Sequence, residues 1–586
     1  MQTFPARMGQ TLLSNDQVAK KLNQIRTLME LAGEPFYKFM AYERAASAIE
    51  NARPLNELIA AGELVKLPGI GKSIAATIVE LCERGECGLS EELAQRFPPT
   101  IFQVLGVSGI GIKTAGSLFE QFGIASLADL EHAVESGMLV GVPRMGKKSV
   151  ENIKRGILAY KGRQNRTPLG AALRIARDVL AYLKDGPPTD RLECAGSLRR
   201  AEVTVGDIDI VCTSDQAAAV IDYFVQWKRA QAVLAEGPTK ASIWLEGGLQ
   251  IDLRVLPDAV YGNLLQHFTG SREHNIQLRE YAVRKGLRVS ENGILELETG
   301  RSITCRTEEE VYAVLDMQFI PPELRSGIGE IDAARARSLP ALIERDDIRG
   351  DFHMHSTWSD GRDTLETMIA SAAARGYEYH SISEHSWGRG PKYGMDPEQV
   401  RAQREKVHEY GAKFSIRTLC SSEVDILADG TMDYPDNVLA EFDIVIGSIH
   451  SGLNQTRDEL TKRLIRACEN PYVNIIGHPT GRYDGFPGYE FDYDAVFAAA
   501  ARTGTALEID GQEGRLDLPA PLARRAKEFG VTFTTDSDAH AAAQLANLDL
   551  AVSQARRAGL SKEQVLNTRR VDEVKMFVEQ KRARTA

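Results

Sequence analysis

Gly196-Ser197-Leu198-Arg199-Arg200, followed shortly by Val203-Thr204-Val205-Gly206-Asp207-Ile208-Asp209-Ile210-Val211, is the stretch that decides the fold. In a strand, alternate side chains face opposite sides. Ile208 and Ile210 then point into a core, and Asp207 and Asp209 share the other face. Their Cα atoms stand roughly 6–7 Å apart at that rise. Two carboxylates so placed repel unless cations lie between them, the arrangement needed for paired Mg2+ or Mn2+. A third comes from Gln250-Ile251-Asp252-Leu253-Arg254-Val255, where Ile251, Leu253 and Val255 alternate against Asp252 and Arg254. A neighbouring strand would set Asp252 beside the first pair. One ion would then activate an attacking 3′-hydroxyl and the other would hold a triphosphate, with Asp252 placed to help take the proton.

Upstream, residues 1–160 read as short helices broken by glycine, with Val18, Leu22, Ile25, Leu28 and Met29 at helical spacing. Leu67-Pro68-Gly69-Ile70-Gly71-Lys72-Ser73-Ile74-Ala75 recurs as Val107-Ser108-Gly109-Ile110-Gly111-Ile112-Lys113-Thr114-Ala115, and more weakly as Val142-Pro143-Arg144-Met145-Gly146-Lys147-Lys148-Ser149-Val150. Each is a hydrophobic turn ending in glycine and opening a helix. Gly-x-Gly permits positive φ, and amides at a helix start make an anion site suited to a DNA phosphate without base readout. The units resemble helix-hairpin-helix motifs. Gly69, Gly71, Gly109, Gly111 and Lys113 are therefore candidate DNA contacts.

Gly-Ser-x-Arg-Arg followed by Gly-Asp-Ile-Asp matches the nucleotidyltransferase signature. With hairpins before it, this part of the chain resembles a family X DNA polymerase, similar to DNA polymerase beta, with a palm and a thumb. His267-Phe268-Thr269-Gly270-Ser271-Arg272-Glu273-His274-Asn275 resembles the family's Tyr-Phe-x-Gly-Ser…Asn nucleotide-selection loop. The resemblance implies that Ser197 and Arg200, in the turn opened by Gly196, bind the β- and γ-phosphates. It places Phe268 against the sugar, beside Gly270, and Asn275 and Arg279 at the base and minor groove of the nascent pair. His267 stands where Tyr is usual, which puts sugar discrimination in question. Thr77 stands at the family's Schiff-base lysine, and Thr cannot form an imine, so a lyase activity is not supported there. Lys38, Tyr42 and Lys72 remain candidate binders of a 5′-phosphate at a gap.

Residues 348–575 alternate short apolar strands with amphipathic helices, a barrel rhythm. Seven strand-like segments, 351–355, 379–385, 418–424, 444–450, 474–478, 505–510 and 532–540, mostly end in metal-type residues. Seven βα units suggest a seven-stranded barrel whose strand ends converge on one face. The candidate ligands are His353, His355, Asp360, His385, Glu423, His450, His478, Asp538 and His540. Nine nitrogen and oxygen ligands exceed one tetrahedral site and fit two or three ions such as Mn2+ or Zn2+, which can activate water against a phosphodiester. His-x-His, Ser-Ile-His, Gly-His-Pro and Ser-Asp-Ala-His resemble the motifs of the PHP phosphoesterase domain, and all nine of its ligand positions are filled. Glu384 replaces the usual Asp of the second motif, and Asp510 stands where Asn is common. His380 and His408 match no ligand position.

Composition agrees with this reading. The chain has 586 residues, 43% hydrophobic and 26% charged, an ordinary globular mix that excludes disorder, collagen and coiled coil. It contains no run of 18 apolar residues and no basic-then-apolar leader at its start, so no membrane is expected. Seven scattered cysteines without a CxxC pair suit a reducing cytoplasm. Net charge is −11, with residues 346–586 carrying −9 and residues 151–200 carrying +6, so no global basic field announces nucleic acid. Eight of eleven histidines lie after residue 350.

The expected divisions are 1–90 with the first hairpin, 91–168 with the second, palm 169–256, thumb 257–322, linker 323–348 and barrel 349–575. The fold class is thus multidomain, α+β and α/β. Polymerase plus PHP barrel is the layout of bacterial and archaeal PolX. It implies filling of short gaps in DNA repair by two-metal nucleotidyl transfer. It also implies metal-dependent 3′→5′ exonuclease, sometimes with abasic-site endonuclease. Gapped or nicked DNA and dNTPs are the expected partners, alongside other repair proteins, for a monomer. Two alternatives compete. One is a small-molecule nucleotidyltransferase fused to a histidinol-phosphatase-like enzyme, against which the hairpins argue. The other is a barrel that is only a metal-stabilised scaffold, against which the filled ligand set argues.

Overall fold

A computed structural model of the chain describes residues 13–585, except 14, 51, 53–54, 68, 108–109, 140–149, 151–152, 155, 158–159, 161–165, 246–247, 391–392 and 484–487. Gly109 and the third hairpin copy up to Ser149 lie outside the described residues. The chain divides into two compact units, Met1–Asn165 and Arg166–Ala586.

The first unit is helical. Helices Asn15–Leu31 and Phe36–Glu50 pack against each other and bury Val18, Leu22, Ile25, Ala45 and Ile49. Both described hairpins have the same build. A short turn of helix, Leu64–Lys66 or Ile101–Leu105, leads to a glycine N-cap and a longer helix, Lys72–Arg84 or Ile112–Phe122. Each longer helix stops at a left-handed glycine, Gly85 or Gly123, the residue that adopts that conformation without a Cβ penalty. Of the hairpin glycines expected to need positive φ, Gly69 does (+83°), but Gly71 and Gly111 are extended at φ −83° and −86°. An N-cap residue sits outside the helix in extended geometry, so these two serve as caps and not as left-handed turns.

The second unit begins with a five-stranded mixed sheet. Its strand order by first residue is Arg191, Asp207, Gln250, Lys240, Ala230, and the central pair is parallel. Helices Leu169–Lys184 and Ala217–Val225 cover one face, where Ile208, Ile210, Ile251, Leu253 and Val255 are buried. A smaller lobe follows: helices Tyr261–Thr269 and Arg272–Arg284, a three-stranded antiparallel sheet and helix Glu308–Val314. The segment 323–348, expected to be a linker, is packed instead. Leu324, Ile331 and Ala334 join the core of the small lobe, and Ile343 and Ile348 join the barrel core. Its Pro and Gly residues shape turns between these anchors.

The C-terminal part is a seven-stranded parallel barrel with strands in sequence order. Its first and last strands meet through the Met354–Ala539 bridge and the bond from His355 N–H to Ala539 O (2.8 Å). Four of its helices start at side-chain caps, Thr364, Asp396, Thr456 and Asp492, each accepting a backbone N–H of the first turn. Apart from the exposed Arg417 at the start of strand Arg417–Asp425, the strands are buried along their length, as strands covered on both faces must be. The barrel extends past residue 575: helix Val571–Thr585 places Val574, Phe577 and Val578 in the same apolar cluster as Phe352 and Tyr379. All seven cysteines are free thiols. Among the described residues no helix is long and apolar enough to cross a membrane.

Candidate active sites

In the palm, the strand Asp207–Thr213 lies parallel to Gln250–Leu256 in a register that pairs Asp209 with Asp252 and Asp207 with Gln250. The three expected carboxylates therefore come together on one sheet face. Gln250 Nε2 donates to both oxygens of Asp252 (2.8 and 2.9 Å), and Ser242 Oγ donates to Asp252 Oδ1. These two orienting residues were not singled out in the sequence; Gln250, residue i−2 of Asp252, shares its face by alternation, while Ser242 stands opposite Asp252 on the neighbouring strand. Burial, with Asp207 and Asp252 nearby, pushes the Asp209 carboxyl up to about 8. A buried group that resists ionising beside two other acids is a site lacking positive charge, and divalent ions would supply it.

Gly196, at φ +61°, backs this acid so closely that a Cβ there would lie 2.1 Å from Asp209 Oδ2. Glycine is therefore required on both counts. Ser197 and Arg200 belong to the turn that follows. Arg200 Nη1 donates to the Thr269 carbonyl (2.6 Å), while its Nε is buried without a hydrogen-bond partner.

The selection loop differs in part from expectation. His267 and Phe268 pack at 5.0 Å between ring centroids, and the Arg254 guanidinium lies 4.5 Å over the Phe268 ring. Arg279 is exposed, with Nη2 3.1 Å from His267 Nδ1. Asn275, expected to face the base pair, has both ends engaged inside the protein. Its Nδ2 donates to the His267 carbonyl and its Oδ1 accepts from Gln266 Nε2, each at 2.8 Å. It holds the loop in this state. Gly270 is left-handed at φ +66°.

Of the first unit's candidates, Gly71, Lys72, Gly111 and Lys113 are exposed at the helix starts, and neither glycine cap carries a side-chain bond. Lys38 pairs with Glu34 (2.9 Å). Tyr42 is only 8% exposed and its hydroxyl bonds Thr77, so it is a core residue and not a surface phosphate contact. The aromatic body of a Tyr at helical spacing was decided by packing.

At the C-terminal end of the barrel all nine candidate ligands converge. His355, Asp360, His385 and His540 form one group of mutually close ligand atoms, His353, His355 and Glu423 a second, and His385, Glu423 and His450 a third. Glu423 lies at the centre, 2.7 Å from His478 Nε2, 2.9 Å from His385 Nδ1 and 3.2 Å from His450 Nε2. Asp538 lies 3.3 Å from His355 Nε2 and 3.6 Å from His353 Nε2. His353 Nε2, His355 Nε2 and Asp360 Oδ1 are buried without hydrogen-bond partners among the described residues. Such orphaned donor atoms facing one another fit metal ions.

The electrostatics agree. Burial lowers the histidines, yet Glu423 and Asp360 pull His385 up to about 10, and Glu508, Glu423 and Asp538 hold His353 well above its usual value. The cluster draws protons as it would draw cations. By contrast burial and the neighbouring His540 and His385 depress His355 to about 3. His478 and Asp538 carry positive φ (+28° and +44°), a strained backbone at two of the nine positions.

A second layer went unread in the sequence. Glu508 Oε1 holds His353 Nδ1 (2.7 Å) and Asp425 Oδ1 holds His450 Nδ1 (2.5 Å). These contacts fix which ring nitrogen faces the centre. Their only sequence signal is a carboxylate two residues from a candidate strand-end acid, Asp510 or Glu423. Glu384, in place of the usual Asp, accepts from Ser356 and Ser359. The cleft over this centre has a volume of about 770 Å³, and its rim includes Arg362, Arg389 and Arg515 of the barrel with Arg174 and Arg177 of the palm helix. Arg174 pairs with Glu513.

Residues 14–87 match a helix-hairpin-helix domain family and 102–157 a SAM-like helix-hairpin-helix tandem. Residues 264–326 match the DNA polymerase beta thumb and 351–507 the PHP domain. A Bacillus subtilis protein named DNA polymerase/3′-5′ exonuclease PolX is 37% identical over 566 residues, 96% of this chain and 98% of that one. The chain belongs to the PolX family. Probable phosphatases of Caldanaerobacter subterraneus (36% identical) and Syntrophotalea carbinolica (30%) match 40% and 37% of this PolX chain and at least 90% of their own length. The PHP match ends at residue 507, so Asp538 and His540, two of the nine candidate ligands, lie beyond it.

Proposed function

We propose that this PolX protein is a DNA-directed DNA polymerase that fills short gaps in repair, with a metal-dependent 3′→5′ exonuclease, and abasic-site endonuclease, in its barrel. The observation that carries the polymerase reading is the register setting Asp209 beside Asp252 with Asp207 on the same face. Asp207, Asp209 and Asp252 would hold Mg2+ or Mn2+, and the nine barrel residues two or three Mn2+ or Zn2+. When bound, these ions lower the pKa of the attacking oxygen and neutralise charge on the phosphoryl group.

The chain's own residues do the rest. Asp252, oriented by Gln250 and Ser242, takes the proton of the primer 3′-hydroxyl. Ser197 and Arg200 hold the β- and γ-phosphates of the dNTP. Phe268 and His267 lie along its sugar, and Arg279 reaches the minor groove, with Gly270 leaving room. Asn275 joins them by releasing the His267 carbonyl. In the barrel, Glu508 and Asp425 fix the imidazoles, and the rim arginines Arg177, Arg362 and Arg389 hold the phosphates of the strand being trimmed. Gapped or nicked DNA docks its backbone on the amides at Gly69, Gly71, Gly109 and Gly111, with Lys72 and Lys113 alongside and Lys38 nearby. We divide the chain as 1–90, 91–168, palm 169–256, thumb from 257 and barrel from 349, acting as a cytoplasmic monomer.

The test is a labelled primer on one-nucleotide-gapped DNA with Mn2+. Extension with dNTPs and shortening without them are expected. A primer unchanged in both lanes refutes the reading.

A further inference from the structure

The turn that carries Arg200 is held from outside the palm. Helix Leu548–Arg557 belongs to the barrel, yet its last residue reaches back across the domain boundary. Arg557 donates one Nη to the Arg200 carbonyl, and its other Nη donates to Glu202 Oε2 at 2.8 Å. One turn earlier, the fully buried Gln554 donates Nε2 to the Ala201 carbonyl (2.9 Å). Ala201 is left-handed, φ +53°, a conformation that a non-glycine residue keeps only when its surroundings hold it there. Three successive residues of one polymerase turn, 200 to 202, are thus tied to two side chains of the nuclease barrel.

Charge makes the contact directional. Glu202 lies 3.7 Å from the Arg200 guanidinium and is the nearest acid to it, while Arg557 holds the same carboxylate at 2.8 Å. A carboxylate already engaged by one arginine competes weakly for a second. Remove Arg557, and Glu202 is left to draw the Arg200 side chain towards itself.

We propose that Arg557 and Gln554 of the barrel are positioning residues for the polymerase: they clamp the 200–202 turn and engage Glu202, so that this carboxylate does not draw the Arg200 guanidinium away from the triphosphate of the incoming nucleotide. The proposal rests on the reading of Arg200 as a phosphate contact. It couples nucleotide affinity to a domain that carries a different reaction.

Steady-state incorporation on gapped DNA by the full chain tests it. Arg557→Ala raises the dNTP KM by about five- to tenfold, with kcat within about twofold, the size expected for one charge-assisted contact. Arg557→Lys gives an intermediate KM, and this variant decides the matter if the alanine variant does not fold. Adding Glu202→Gln to Arg557→Ala returns KM towards wild type, a rescue that a merely structural role would not give. Exonuclease on the same preparations stays at the wild-type rate. A dNTP KM within twofold of wild type in Arg557→Ala, while Arg200→Ala raises it, overturns the clamp. An unchanged KM in Arg200→Ala overturns the phosphate reading beneath it, and the clamp with it.

Discussion

Asp209 is where the chain spends stability on function. Its carboxyl is pushed from 3.8 to about 8 by burial and by Asp207 and Asp252. Between those values the folded, metal-free protein keeps a proton that the unfolded chain gives up, so its stability declines as pH rises through that window. Asparagine cannot ionise. Asp209→Asn should therefore abolish dNTP incorporation yet raise the melting temperature in EDTA, by about 1–2 °C at pH 8 and by less at pH 5, as scanning calorimetry would record. Glu508 acts differently, through His353. Glu508→Gln should weaken Mn2+ binding by the barrel about 10- to 100-fold, seen in a metal titration of the nuclease, with primer extension unchanged. The aspartates and histidines were legible as residues because strand alternation and strand-end position expose them. Ser242, Glu508 and Asp425 were not, because each orients a residue on another strand that sequence distance hides, and although Gln250 shares the face of Asp252 by alternation, alternation does not say that its amide turns to that carboxylate.

At the scale of the element, the two described hairpins show what a repeat can and cannot reveal. The repeated Gly-x-Gly marked both helix starts correctly. It did not say which glycine would be left-handed, because the second one is set by the capping geometry it enters. A Cβ built on Gly71 or Gly111 meets nothing within 4 Å. Gly71→Val and Gly111→Val should therefore fold normally, while the added side chains keep a phosphate from the backbone amides. Gapped-DNA affinity should fall about tenfold in each with the same salt slope, since amides release no counterions. Lys72→Ala should instead reduce the slope of log Kobs against log salt by about 1. Fluorescence anisotropy across a salt series reads both. Tyr42 marks the limit of such reading: the family resemblance made it a candidate 5′-phosphate contact, and the core claimed it.

For the whole molecule, the order of parts along the chain was legible, and the way they join was not. The stretch 323–348 looks like a tether in composition, but Ile331 and Ile343 anchor it in two different cores. Leu516 and Leu550 of the barrel are buried in the palm's own apolar cluster. Polymerase and nuclease centres thus stand on one continuous body, each with its own acids. The central claim is that they are two independent metal sites. Its most direct test takes one labelled primer on gapped DNA with Mn2+ and compares Asp209→Ala with His355→Ala. The expected result is a crossed pattern: Asp209→Ala shortens the primer and never extends it, and His355→Ala extends it and never shortens it. Loss of both reactions in either variant, each folded as judged by its melting curve, would contradict the account.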